Sequence, residues 1–200
     1  EILIGLVGSE MCIRDSINAY GAARGIRILH YINSSGLKEI IEGTEIAHEF
    51  RRIYACSFLY DIDGVAYWPA VAVNYTNKTQ FIFKINKGVE SVFDSKLVNQ
   101  YIEEDKRPVP FRRMIYVGDG TTDIPCMRLV KNSGGHSIAV YNPEIRNARR
   151  ELNGLIRDNR VSHVCPADYS EGSEMDTLVK TIIDKIEADH RLELLETPRT

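Results

Sequence analysis

The sequence predicts an α/β protein: a Rossmann-like parallel sheet with helices on both faces, plus a β-hairpin flap. Three observations carry that expectation. From residue 17 onward, short β-branched runs alternate with helical patterns, the order that builds a parallel sheet covered on both sides. The run Met114-Ile115-Tyr116-Val117 ends in Gly118-Asp119-Gly120 and leads straight into a helical pattern. A crevice of that kind, beyond the carboxyl end of a strand, is where open α/β sheets bind ligands. Finally, Asp63-Gly64 between two strand-like runs is a strong short-range hairpin signal.

Each element follows in order. Residues 27–33 read as a strand and 37–42 as a helix. Residues 52–60 and 65–73 read as two antiparallel strands joined at Asp61-Ile62-Asp63-Gly64. Residues 79–87 and 96–103 are helical in pattern. The strand at 113–117 precedes a helix at 124–131, whose first turn accommodates Pro125 because the missing N–H has no partner there. A strand at 136–141, a helix at 143–152 and a strand at 161–165 come next. In the last helix Leu178, Ile182 and Ile186 form a stripe beside Val179 and Ile183, and Ser173 with Asp176 makes a capping pattern.

The core domain is expected over residues 17–190, with a frayed tail at 191–200. Residues 1–16 are expected to be a non-native or disordered leader: the segment 9–16 fits no periodic template, and 7–16 looks like translated non-coding sequence. The chain begins with Glu, so it reads as processed or incomplete. Gly5-Leu6-Val7-Gly8-Ser9 is not a phosphate loop, because the later Gly-Lys-Ser/Thr is missing.

Bulk properties narrow the function. Two hundred residues suit one domain with a substantial core. A formal charge of −3 gives no electrostatic case for nucleic acid or an anionic membrane. No apolar run approaches the roughly 20 residues needed to span a bilayer. The four cysteines have no CxxC pair, so they read as reduced core thiols of a cytoplasmic protein, and the five histidines show no ligand spacing.

The chemistry concentrates around Asp119 and Asp123. Two carboxylates on one strand–turn–helix crevice suit a hard, partly hydrated cation such as Mg²⁺. This stretch resembles the last signature motif, GDGxxD, of the haloacid dehalogenase-like phosphohydrolases, closest to their phosphoserine phosphatase-like branch. The resemblance implies a Mg²⁺-dependent hydrolase of a small phosphorylated metabolite, working through an aspartyl-phosphate. By position, Asp119 is the direct metal ligand, and Asp123 a second ligand or the holder of a metal-bound water. Ser34-Ser35-Gly36 is similar to the family's second motif, where a hydroxyl and free N–H groups at a helix start bind phosphate. Lys78 takes the place of the third-motif lysine that reaches the phosphoryl oxygens, with Lys84 and Lys87 as competitors on the same helix.

Asp61-Ile62-Asp63-Gly64-Val65 looks like the family's nucleophile motif, DxDx(T/V), but three features oppose it. It follows the Ser34 motif instead of preceding it. Its sequel is a strand where the family has a helix, and its Asp-Gly pair signals a hairpin. The nucleophile motif is therefore expected upstream of residue 17, where Asp15 is a lone carboxylate. The competing readings are a non-catalytic phosphate- or Mg²⁺-binding α/β module, or one part of a split enzyme. A receiver-like domain fares poorly, because it needs an acidic pair on an earlier strand.

Overall fold

The computed structural model describes residues 3–4 and 11–196. Among the described residues seven strands and seven α-helices run in the order β1 (Leu3–Ile4), α1 (Met11–Ala22), β2 (Leu29–Leu37), α2 (Lys38–Glu42), β3 (Arg52–Tyr60), β4 (Ala66–Val71), α3 (Lys78–Asn86), α4 (Lys96–Asn99), β5 (Ile115–Gly118), α5 (Ile124–Asn132), β6 (His136–Tyr141), α6 (Ala148–Arg157), β7 (His163–Pro166) and α7 (Glu174–Glu196). β1, β2 and β3 pair in parallel, and β4 joins β3 antiparallel at the edge. β5, β6 and β7 form a second, all-parallel sheet. β1 also packs beside β5, so the two sheets meet there.

Alternation along β5 and β6 sorts the core into two layers. Ile115, Val117, Ile138 and Val140 face Ile17 of α1 and Met175, Val179, Ile182, Ile183 and Ile186 of α7. Met114, Tyr116 and Ala139 face the opposite way, against Phe81, Ile82 and Ile85 of α3 and Cys126, Met127 and Val130 of α5. A sheet buried on both faces is what the near-continuous apolar strands imply. The α/β architecture is the one the sequence predicts.

Several boundaries differ for local reasons. β2 runs on to Leu37, which pairs with Cys56 after a register shift, so α2 starts only at Lys38. The second helix of the expected pair stops at Asn99, because the Lys87 ammonium takes the carbonyls of Val98 and Gln100 at 2.6 and 2.7 Å. α6 begins at Ala148, five residues later than its pattern suggests. Asn142 first turns the chain by accepting the Glu144 N–H, and Asn147 is left-handed with φ of 67°.

The ends of the chain also differ from expectation. α1 starts at Met11 and passes through residue 17, so the expected core boundary is not a break in the fold. Leu3–Ile4 is a strand, whereas residues 1–2 and 5–10 of the expected leader lie outside the described residues. α7 continues to Glu196, through most of the expected frayed tail, of which 197–200 lie outside the described residues. Its start matches the capping pattern: Ser173 Oγ accepts the Asp176 N–H at 3.1 Å.

Candidate phosphate and metal site

Lys78 is fixed by the loop that precedes it. Asn77 Nδ2 donates to the Ala72 carbonyl at 2.7 Å, and its Oδ1 accepts the Asn74 N–H at 2.8 Å. Asn74 Oδ1 in turn accepts the Thr76 N–H and hydroxyl. The Lys78 N–H then donates to the Asn74 carbonyl, which makes it the first residue of α3. Two asparagines thus convert the β4–α3 connection into a rigid platform for one lysine.

From that platform the Lys78 ammonium reaches Asp123 Oδ1 at 2.7 Å, with both side chains buried. Tyr116 donates its hydroxyl to the same oxygen at 2.6 Å. Asn33, in the middle of β2, donates to the Lys78 carbonyl at 3.1 Å. A single lysine therefore ties β2, at the residue before Ser34, to the turn after β5, which carries Asp119 and Asp123.

The turn itself depends on Gly118. A Cβ there would sit 2.6 Å from Asp123 Cβ and 2.9 Å from Met127 Cε, so only glycine lets the short helical turn Thr121–Asp123 fold back onto β5. Asp123 Oδ2 lies 3.6 Å from the position a Cβ would take on Gly120. Among the described residues it accepts no hydrogen bond, and neither do the carboxylate oxygens of exposed Asp119. These free carboxylate oxygens fit Mg²⁺, which binds through one or two carboxylates and completes its shell with water and phosphate. Among the described residues no group of three His, Cys, Asp or Glu side chains converges on a metal-sized site.

The phosphate segment differs from its expected form. Ser34-Ser35-Gly36 lies in the bulged end of β2, not at a helix start, and α2 has five residues. Ser34 is half-buried, and its Oγ accepts the Gly36 N–H at 3.0 Å, leaving the hydroxyl proton to be donated. Ser35 and Gly36 are exposed.

The competing lysines have other work. Lys84 donates to the carbonyls of Ser91 and Asp94, and Lys87 to those of Val98 and Gln100. The neighbouring acids are silent near neutrality: burial pushes the Tyr116 phenol well above its usual range and the Cys126 thiol up to about 11. Asp61 and Asp63 form the β3–β4 turn and stay exposed. Asp61 Oδ1 accepts the N–H groups of Asp63 and Val65 at 3.0 and 2.8 Å.

Sequence reasoning passed over Tyr116 and Asn33. Tyr116 did leave a signal, since a phenol in an otherwise apolar buried strand needs a hydrogen-bond partner. Asn33 left none beyond its place at the end of a strand.

No protein-family model matches the chain. It is 29% identical over 177 residues to an uncharacterized protein of Borreliella burgdorferi, an alignment that covers 78% of this chain and 56% of that relative. The chain thus spans little more than half the length of the curated relative it matches.

Proposed function

We propose that this chain is part of a Mg²⁺-dependent phosphohydrolase of the haloacid dehalogenase-like type, acting on a small phosphomonoester through an aspartyl-phosphate. One observation carries the reading: the Lys78 carbonyl accepts the Asn33 side-chain amide of β2, while its ammonium is buried against the Asp123 carboxylate. Lys78 thus bonds both the residue before Ser34 and one carboxylate of the acidic turn, segments that are far apart in sequence. In this reading Asp119 and Asp123 hold Mg²⁺, which when bound neutralises phosphoryl charge. Ser34 donates its hydroxyl proton to a phosphoryl oxygen, and Lys78 offsets the charge that develops on the others. Exposed Ser35 lies beside Ser34 for the phosphate, while the Gly36 N–H orients the Ser34 hydroxyl. The nucleophilic carboxylate comes from outside the groups assembled here, because Asp61 is committed to the hairpin turn. The unpaired thiols of Cys56, Cys126 and Cys165 suit a reducing, cytoplasmic setting. Among the described residues no helix is long and apolar enough to cross a membrane.

The test compares this chain with a version carrying a natural front end, both assayed on p-nitrophenyl phosphate with Mg²⁺. The longer form is expected to turn over and to lose activity in Asp119→Asn, with the short chain roughly a thousandfold or more lower. Comparable turnover by the short chain, abolished by Asp119→Asn, would place the nucleophile within these residues. Binding of Mg²⁺ and phosphate without turnover in either form would make the protein a binding module.

A further inference from the structure

We infer that Tyr116 is a positioning residue, which fixes the Asp123 carboxylate so that Oδ1 stays inside the protein and Oδ2 is the oxygen offered to a cation; this rests on the metal reading above. The reason lies in the freedom of an aspartate. Its terminal torsion is broad and nearly two-fold, so a lone ammonium donates to either carboxylate oxygen equally well. Two donors converging on one oxygen remove that degeneracy. Tyr116 and Lys78 do so at 2.6 and 2.7 Å, on an aspartate that is 6% exposed.

Tyr116 is the better-anchored of the two donors. It stands two residues before Gly118 on the same face of β5, the face against which Asp123 packs. Its ring belongs to the buried layer that includes Phe81 and Met127, and Tyr116 is 3% exposed. Lys78 approaches on a long stem from another element. The arrangement also explains why a phenol is tolerated in a strand whose other residues are apolar.

Groups that hold a ligand's orientation from behind typically change metal affinity by 10- to 100-fold when removed. The experiment titrates the 200-residue chain with Mg²⁺ in the presence of inorganic phosphate by calorimetry. Tyr116→Phe removes only the hydroxyl, keeps the ring packed, and is expected to weaken Mg²⁺ binding at least about tenfold. Val179→Ala opens a cavity in the opposite layer, on α7, and controls for simple loss of stability. It is expected to lower the melting temperature without moving the Mg²⁺ affinity. Tyr116→Phe binding Mg²⁺ as tightly as the parent would overturn the positioning role and leave the metal reading intact. So would an equal loss of affinity in Val179→Ala, which would make the effect one of general stability. A parent chain that binds no Mg²⁺ even with phosphate would remove the metal reading, and the inference with it.

Discussion

Two turns in this molecule are built from the same residues and behave in opposite ways. In Asp61-Ile62-Asp63-Gly64 the carboxylate of Asp61 accepts N–H groups two and four positions ahead, and the whole turn is exposed. In Gly118-Asp119-Gly120-Thr121-Thr122-Asp123 the buried carboxylate is held by Tyr116 of the preceding strand and by Lys78, 45 residues away. A carboxylate satisfied by its own loop stabilises the loop and nothing else. One that gathers donors from separate elements organises a site, and its loss is felt by all of them.

The comparison can be broken most directly by deleting each carboxylate. Asp123→Ala leaves the Lys78 ammonium and the Tyr116 hydroxyl buried without an acceptor, and is expected to cost about 3–5 kcal/mol in urea denaturation. Asp61→Ala loses two exposed turn bonds and is expected to cost about 1 kcal/mol. Equal losses would erase the distinction between the two turns.

The glycines sharpen the contrast. Gly118→Ala drives a methyl group into Asp123 and Met127, with an expected cost of about 1–3 kcal/mol and loss of Mg²⁺ binding. Gly64→Ala meets nothing within 4 Å, but its φ of 78° is left-handed. That substitution should cost about 1 kcal/mol and leave Mg²⁺ affinity unchanged. A Gly64→Ala protein that lost Mg²⁺ binding would tie the hairpin to the site.

The smallest expected effect is spectroscopic. Addition of Mg²⁺ and phosphate should shift amide resonances of Gly118 to Asp123 and of Ser34, and leave those of Asp61 to Val65 in place. Shifts confined to the hairpin would reverse the assignment of the two turns.

Much of the fold was legible because strands and helices repeat with different periods. The buried runs at β5 and β6, the hairpin signal at Asp63-Gly64 and the stripe on α7 all depend on neighbours in sequence. The misplaced boundaries fall where side chains reach out of their own element. Lys87, just past the end of α3, stops α4, and Leu37 is held in β2 by pairing with β3. The candidate site was legible as residue types at Ser34, Lys78, Asp119 and Asp123. Which of three lysines reaches an aspartate was not, since Lys78, Lys84 and Lys87 share one helix pattern.

The sequence by itself determined the α/β class, the hairpin at Asp61–Gly64 and the acidic turn after β5, because each arises from hydrophobic period or local turn chemistry. The tertiary structure decided what the acidic turn touches. Tyr116 and Lys78 converge on one oxygen of Asp123 only because Gly118 admits the close approach and Asn74 and Asn77 aim α3. Such contacts depend on packing in three dimensions, and no periodicity along the chain records them.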